Sequence, residues 1–269
     1  RYGEAIALSR KDKVVSWLPV YHDMGLIAAF HLPLAQGVPS VQMDPFEWVV
    51  APVLMLEALA REEGSLAWLP NFAYNLMADR VHLEDLAGLR LDCVRMLINC
   101  SEVVRHASHE KFHARFAPLG LRRQALGASY AMAETTFAVT QTAPGTEPAT
   151  VAASREELSG GQFVPAREVT AAKICVSSGR LISGCQARIV DDEGRDVPDG
   201  RVGEVAIRSV SLFQGYMNNP EATRAALRDG WYFSGDYGFR SQGEYYVIGR
   251  KKDILIVAGK NLYPEDIEE

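Results

Sequence analysis

The first half of the chain alternates short apolar runs with amphipathic stretches, and this rhythm constrains the fold more than any other feature. Strand-like runs at 14–18, 40–43, 66–69 and 96–98 are separated by segments of helical periodicity. Strands joined by helical crossovers favour a mainly parallel sheet with helices packed on its faces. We therefore predict an α/β subdomain over residues 1–143.

The pattern changes near the middle of the chain. A stretch rich in Pro, Gly and Thr leads to β-type runs at 187–190, 203–208 and 245–248, with turn sequences between them. Short strands joined by such turns favour antiparallel pairing. We predict a β-rich subdomain over 144–249, followed at 250–269 by a tail that is too short to fold alone.

Composition narrows the class of protein. The 269 residues are 48% hydrophobic and 23% charged, which suffices to bury a full core. A net charge of −6 without long basic runs argues against nucleic acid as a partner. No run approaches the roughly 20 apolar residues of a membrane span, and the start shows no secretion signal. We predict a cytoplasmic protein with no membrane span.

Four cysteines occur, at positions 93, 100, 175 and 185. Their spacing fits neither a metal site with close cysteine pairs nor a compact disulfide framework. We predict buried, reduced thiols without a chemical role.

An Asp and an Arg near the end form the first candidate site. Asp236 lies in G-D-Y-G and Arg250 in G-R-K-K-D, and a short hairpin would bring the two segments together. A carboxylate can accept hydrogen bonds from two adjacent hydroxyls, and a guanidinium donates several to ribose or phosphate oxygens. The pair could bind a ribose through hydrogen bonds. An Asp beside Gly also occurs in ordinary hairpins, which is the alternative.

Further motifs precede this pair in order: Y-H-D-M-G at 21–25, Y-A-M-A-E-T at 130–135 and G-Y-M-N-N-P-E-A-T at 215–223. With them the chain resembles the acyl-adenylate-forming enzymes. It is most similar to the fatty acyl-AMP ligases, through four passages at 16–25, 70–74, 177–179 and 259–268. The resemblance implies that both predicted subdomains belong to the N-terminal domain of such an enzyme.

The resemblance also implies a reaction. A fatty acid carboxylate attacks the α-phosphate of ATP, pyrophosphate leaves, and Mg²⁺ neutralises the accumulating negative charge. The acyl group then passes to the thiol of an acyl carrier protein, or of a carrier domain in a polyketide or nonribosomal peptide synthase.

The same resemblance assigns roles around the Y-A-M-A-E-T motif. Glu134 would hold Mg²⁺, Thr135 would lie beside the phosphate, and Tyr130 would stack on adenine. We expect 127–130 to form a strand-to-helix turn that includes Ser129 and presents backbone N–H groups to the nucleotide. The alternatives are a solvated Glu and a core Tyr.

Other family positions fall outside that motif. The resemblance places Asp236 on the ribose hydroxyls with Arg250 nearby, and it makes Lys252 the hinge about which a C-terminal domain rotates. His22, expected directly after a strand, would line the acyl and α-phosphate end of the pocket. Asn99 would flank adenine.

A rival motif, H-E-x-x-H at 109–113, would suggest a zinc site, with Glu134 as a downstream ligand. On a helix, however, Phe112 and Phe116 form the stripe that must face inward. The two histidines then lie on another face, where solvation is the simpler interpretation.

Residues 149–172 match the position of an insertion in acyl-AMP ligases that is thought to block the movement needed for transfer to CoA. Its presence favours an acyl-AMP ligase over an acyl-CoA ligase of the same fold. A non-catalytic nucleotide- or acyl-binding module is a third alternative. The family's phosphate loop is expected upstream of Arg1 and its catalytic Lys beyond Glu269, so we expect this chain to be the middle of an enzyme.

Overall fold

The computed structural model describes residues 1–168, 172–253, 255–257 and 260–262. These residues form sixteen strands: β1 (Val14–Ser16), β2 (Ser40–Gln42), β3 (Leu66–Leu69), β4 (Met96–Asn99), β5 (Leu126–Ala131), β6 (Ala138–Gln141), β7 (Thr150–Ser154), β8 (Ala172–Val176), β9 (Arg180–Leu181), β10 (Cys185–Val190), β11 (Gly203–Ser209), β12 (Leu227–Arg228), β13 (Trp231–Ser241), β14 (Glu244–Arg250), β15 (Leu255–Val257) and β16 (Lys260–Leu262).

Eight α-helices accompany them among the described residues: α1 (Tyr2–Ala5), α2 (Leu32–Gln36), α3 (Pro45–Val50), α4 (Val53–Arg61), α5 (Asn71–Arg80), α6 (His106–Phe116), α7 (Arg155–Ser159) and α8 (Pro220–Ala226). A π-helix, Met24–His31, precedes α2, and short 3₁₀ helices occur at Leu83–Leu86, Ala117–Leu119, Arg123–Ala125, Ala133–Thr135 and Lys251–Asp253. None of these helices is long and apolar enough to cross a membrane.

The first sheet has the order β2-β1-β3-β4-β5-β6-β9. Its five leading strands pair in parallel, and β6 and β9 add antiparallel pairs at one edge. Every residue of β3 and β4 is buried, as expected for parallel strands covered on both faces. The predicted mainly parallel sheet is confirmed, but β9 lies beyond residue 143, so this sheet crosses the expected subdomain boundary.

Helices cover the sheet with large apolar side chains. Phe112 and Phe116 of α6 are fully buried, as their spacing predicts, and Phe112 packs edge-on against Tyr74 of α5. Trp48 of α3 is also fully buried and stacks on Trp17 at 3.9 Å between ring centroids. Burial of each such ring contributes about 1.5–3 kcal/mol, so these contacts fix the helices on the sheet.

The second sheet is antiparallel, with β10-β11-β13-β12 in order and β14 paired to β13. Gln242 and Gly243 join β13 to β14 and have φ values of 52° and 79°. Two consecutive positive φ angles are typical of the tight hairpin turns that match strand twist. Tyr130 of β5 packs in the same apolar cluster as Tyr232 of β13, so the two sheets share a core.

The described residues of the 149–172 segment pack on the second sheet. Strand β7 pairs with β8, and the Phe163 ring stacks on Phe239 at 4.9 Å, which stacks in turn on Tyr246 at 4.8 Å. The Phe163 N–H also donates to the Gly200 carbonyl at 2.7 Å. The described part of this segment is therefore anchored on strands β13 and β14.

Two further expectations from the sequence concern the cysteines and the motif at 259–268. Cys100 and Cys175 are buried as predicted, whereas Cys93 and Cys185 are only half-buried. Of the motif at 259–268, only Lys260–Leu262 lies among the described residues, as a strand paired with β15. The rest of that motif lies outside them.

Candidate functional site

A cleft opens where the carboxyl ends of β4 and β5 face the β13–β14 hairpin. It consists of two adjoining cavities of about 410 and 470 Å³, which share Met132, Asp236 and Arg250 as lining residues. The first is lined by the segments that follow β4 and end β5, and the second extends to Glu134. Ligands of parallel α/β sheets bind at such carboxyl ends.

Asp236 and Arg250 are direct cross-strand partners in the hairpin. The Arg250 Nε atom lies 3.5 Å from Asp236 Oδ1, and the two side chains are 61% and 16% exposed. The predicted pairing across the hairpin is therefore confirmed. The exposed guanidinium keeps most of its donors available to a ligand in the cleft.

A β-bulge brings this pair into register. The pairing shifts by one residue between Tyr237 and Gly238 of β13, so that Ile248 is the extra residue in β14. Without the shift, Asp236 would face Gly249. Bulges are common beside functional sites because they re-aim a side chain, as this one does for Arg250.

Tyr130 also lines the first cavity, beside Asp236. Its hydroxyl donates to Asp236 Oδ2 at 2.6 Å. Burial raises the pKa of the Asp236 carboxyl, although the Tyr130 hydroxyl and the Arg250 guanidinium both favour the anion. Burial also raises the pKa of Tyr130 well above its usual value, and the Asp236 charge adds to that shift. Tyr130 is thus a fixed neutral donor.

The expected strand-to-helix turn at 127–130 is wrong, because these residues lie inside strand β5. Two backbone N–H groups of this strand are bound to threonine hydroxyls: the Ala128 N–H donates to Thr142 Oγ1 and the Tyr130 N–H to Thr140 Oγ1. Ser129 lines the first cavity, but its hydroxyl donates to the Thr140 carbonyl at 2.8 Å. These groups are engaged by the sheet.

Glu134 projects from the short 3₁₀ helix Ala133–Thr135 into the second cavity. Its Oε1 atom accepts a hydrogen bond from the Tyr216 hydroxyl at 2.8 Å. Thr135 is buried, and its hydroxyl donates to the Phe137 carbonyl at 2.8 Å. Thr136 has a φ of 72°, a conformation that is rare for a β-branched residue and is found at functional sites.

The second cavity also receives basic side chains. Arg250, Lys251 and Lys252 line it together with Glu134. Lys251 pairs with Asp192 at 2.8 Å and Glu204 at 3.2 Å, whereas Lys252 is exposed. This mixture suits a polyanion that carries a divalent cation. Sequence reasoning missed Lys251, although it stands between two residues that it selected.

Glu134 fits a magnesium site in which the protein supplies few of the ligands. Mg²⁺ keeps several waters and is usually bound through one or two carboxylates together with substrate phosphates. Over residues 1–168, 172–253, 255–257 and 260–262, no group of three or more His, Cys, Asp or Glu side chains could hold a metal alone. A single carboxylate in a cavity that Arg250, Lys251 and Lys252 also line fits a magnesium ion bound together with phosphates.

His22 lies apart from both cavities. Strand β1 ends at Ser16, so His22 sits in a turn before the π-helix, and the expectation that it directly follows a strand is wrong. Its ring is exposed, with Nδ1 2.8 Å from Asp23 Oδ1. The neighbouring Met24 is buried, and its Sδ lies 3.0 Å from Cys100 Sγ.

Asn99 is fully buried at the end of β4 and is not among the residues that line either cavity. Its Nδ2 donates to Asn71 Oδ1 at 2.8 Å and lies 3.0 Å from His109 Nε2. The first cavity is lined instead by the segment that follows, at Ser101 and Glu102. Asn99 is therefore linked to this segment through Asn71, whose backbone N–H donates to Glu102 Oε1.

His109 contradicts the expectation that it is solvated. It is 6% exposed, and burial lowers its pKa to about 4, so the ring is neutral. Its neighbour Glu110 turns outward to pair with Arg123. With Glu110 paired to Arg123, the H-E-x-x-H residues form no group that could hold a metal within the part of the chain that the structure describes.

Comparisons with known proteins agree with this geometry. A sequence model described as AMP-binding enzyme matches residues 2–217. The chain is 36% identical over 267 residues to 4-hydroxyphenylalkanoate adenylyltransferase of Mycobacterium tuberculosis, across 94% of this chain and 43% of that protein. It is also 36% identical over 268 residues to long-chain-fatty-acid-AMP ligase FadD26 of Mycobacterium marinum, across 95% of this chain and 46% of the relative.

Solved structures give the same result. The fatty acyl-adenylate ligase from L. pneumophila in complex with acyl adenylate and pyrophosphate superposes with a TM-score of 0.90 at 32% identity. The match covers 99% of this chain and 48% of that one. The chain thus spans less than half the length of the proteins it resembles. On this sequence and structural evidence, the chain belongs to the AMP-binding enzyme family.

Proposed function

We propose that this chain carries the adenylation site of a fatty acyl-AMP ligase, which joins ATP and a fatty acid into acyl-AMP with release of pyrophosphate. The observation that carries the proposal is the cleft of two adjoining cavities, with Tyr130 in the first, Glu134 in the second, and Asp236 and Arg250 where the two meet. Similarity to FadD26 and to the ligase from L. pneumophila supports a fatty acid as the substrate.

At the ribose end, an ionised Asp236 accepts hydrogen bonds from two ribose hydroxyls. Arg250 donates to ribose or phosphate oxygens from the free side of its planar fork. Tyr130 holds Asp236 through its hydroxyl, and its largely buried ring lines the first cavity, where adenine would stack against it. The adenine end of the cavity is then bounded by Ser101 and Ser129.

At the phosphate end, Glu134 is the residue that would hold Mg²⁺. The bound ion supplies charge neutralisation at the phosphates. Arg250 and Lys252 add positive charge on the same wall, which helps a carboxylate approach a phosphorus that is surrounded by anionic oxygens. Thr135 acts by holding the turn, because its hydroxyl is committed to the Phe137 carbonyl.

The remaining assignments complete the proposal. His22 would line the acyl entrance, beside the buried Met24. Lys252, exposed in a short 3₁₀ helix directly after β14, would be the hinge for a domain that rotates between steps. The acyl group would then pass to the thiol of an acyl carrier protein or of a carrier domain.

The segment at 149–172 favours acyl-AMP over acyl-CoA as the final product. Its Phe163 stacks on the rigid hairpin that leads directly to the proposed hinge. A segment fixed beside a hinge can obstruct one orientation of a rotating domain without touching the chemistry at Glu134. An acyl-CoA ligase remains the alternative function.

Product analysis with the full-length gene product tests the proposal. We expect acyl-AMP and pyrophosphate from a long-chain fatty acid, ATP and Mg²⁺, and little acyl-CoA when CoA is supplied. Glu134→Gln should remove acyl-AMP formation, whereas Glu62→Gln at an exposed ion pair should not. Absence of acyl-AMP from the wild type would reject the proposal, and conversion of most acyl-AMP to acyl-CoA would establish the alternative.

A further inference from the structure

The G-Y-M-N-N-P-E-A-T segment at 215–223 reaches the cleft through one side chain, that of Tyr216. The Tyr216 hydroxyl donates to Glu134 Oε1 at 2.8 Å and lies 3.4 Å from the Tyr232 hydroxyl. Glu134 and Tyr216 are 82 positions apart in the chain. The contact therefore exists only because the second sheet packs beside the first.

The Tyr216 hydroxyl proton points to Glu134. An ionised carboxylate can only accept hydrogen bonds, so the Tyr216 hydroxyl is the donor in the 2.8 Å contact. The Tyr232 hydroxyl lies 3.4 Å from that of Tyr216, beside this pair.

Aromatic packing fixes both rings. Phe213 meets Tyr216 edge-on at 4.8 Å between centroids, and it meets Tyr232 edge-on at 5.5 Å. Tyr232 is 5% exposed. Edge-to-face contacts at these separations are favourable and orient the rings, so the hydroxyls have little freedom to swing away from Glu134.

The rest of the segment sets the backbone of Tyr216. The Tyr216 N–H donates to Thr223 Oγ1 at 2.9 Å, and that hydroxyl donates to the Asn219 carbonyl at 2.9 Å. Asn219 also caps helix α8 with its side chain. Gly215 has a φ of 150°, and a Cβ there would lie 2.7 Å from Thr223 Cγ2, so the close approach requires glycine.

The residues just before this segment, Ser211 and Phe213, form a loop that is hydrogen-bonded to the Glu134 turn. The Phe213 N–H donates to the Glu134 carbonyl and the Ser211 hydroxyl to the Thr135 carbonyl, each at 2.7 Å. The Thr136 hydroxyl donates back to the Ser211 carbonyl at 3.1 Å. This loop and the segment that follows it thus hold the backbone and the side chain of the acidic residue.

We propose that Tyr216 is a positioning residue for adenylation: the 215–223 segment holds its hydroxyl on one Glu134 oxygen and so orients the carboxylate for the metal–nucleotide complex. The inference rests on the proposed function. Partners that hydrogen-bond to a metal-binding carboxylate typically contribute ten- to a hundredfold in metal affinity or activity. Tyr216 itself touches neither metal nor nucleotide in this role.

The test measures binding of Mn²⁺ as the probe, by electron paramagnetic resonance, in the presence of a non-hydrolysable ATP analogue. Tyr216→Phe keeps the ring and removes the hydroxyl, and we expect it to raise the Mn²⁺ dissociation constant about tenfold. Affinity for AMP without metal should stay the same. Thr223→Val removes the hydroxyl that accepts from the Tyr216 N–H, and it should raise the Mn²⁺ dissociation constant by a smaller factor.

Tyr245→Phe is the matched control, because its hydroxyl donates at 3.0 Å to the Ala187 carbonyl in the same subdomain but does not contact Glu134. We expect it to lower the melting temperature without changing Mn²⁺ affinity. In a Glu134→Gln background, Tyr216→Phe should cause no further loss. Additive effects, or unchanged Mn²⁺ affinity in Tyr216→Phe, would overturn this inference alone. Unchanged Mn²⁺ affinity in Glu134→Gln would overturn it together with the metal assignment in the proposed function.

Discussion

The Tyr130 hydroxyl donates to Asp236 Oδ2 at 2.6 Å and thereby joins β5, the last of the parallel strands, to the antiparallel hairpin. Both groups are largely buried, and the bond spans 106 positions of sequence. The part of the cleft that we propose binds ribose is therefore built at the contact between the two sheets. Changes to this pair should affect nucleotide binding more than they affect the fold.

Replacement of Asp236 by Ala should weaken AMP binding by about ten- to a hundredfold. The loss corresponds to about 1.5–3 kcal/mol, the usual contribution of hydrogen bonds to a charged acceptor. Isothermal titration calorimetry measures it. Asp199→Ala is the control, since Asp199 pairs with Arg240 away from the cleft. Equal affinities for wild type and Asp236→Ala would remove Asp236 from the site.

AMP affinity should fall as the solution is acidified, at a pH above the usual range of an Asp carboxyl. Burial raises the pKa of Asp236 above its ordinary value of 3.8, and only the ionised form accepts from both ribose hydroxyls. Affinity is therefore present above the raised pKa and is lost below it. Calorimetry across this range should give a flat profile for Asp236→Asn. A sloping profile in that variant would assign the dependence to another group.

Loosening the 149–172 segment should change the product rather than the rate of the first step. Phe163→Ala removes the ring stacked on Phe239 and should raise the fraction of acyl-CoA formed by the full-length protein. Chromatography of acyl-AMP and acyl-CoA separates the two steps. Phe46→Ala is the control, because that ring is 78% exposed on α3. A slower adenylation step in Phe163→Ala, without acyl-CoA, would contradict a gating role.

Acid should destabilise the protein partly through His109. Its folded-state pKa of about 4 lies below the usual 6.5, so the unfolded chain binds the extra proton first as pH falls. Neutral His109 makes its full contribution to stability above about pH 6.5. That contribution is lost as the pH falls from 6.5 towards 4, by up to about 1.4 kcal/mol per pH unit. Urea unfolding of His109→Gln should show a shallower dependence than wild type. His31→Gln, at an exposed position, is the control variant.

Local sequence determined much of the architecture. The apolar runs of β3 and β4 specify buried parallel strands, because both faces of such strands are covered. The stripe of Phe112 and Phe116 likewise specifies the inward face of α6. Gly243 marks the hairpin turn, so the local sequence also specifies that the segments of Asp236 and Arg250 pair across the hairpin. These features depend on residues close to one another in the chain.

The tertiary structure decided the details of the site. Whether Arg250 faces Asp236 or Gly235 depends on one extra residue in β14, and the pairing of the two strands, not the spacing in the sequence, shows where that residue lies. His109 is neutral because Tyr74 and Asn99 surround it, although its own sequence neighbours suggest an exposed face. Tyr216 reaches Glu134 only through packing between the two sheets. Burial and long-range contacts set these properties, and neither is encoded in local spacing.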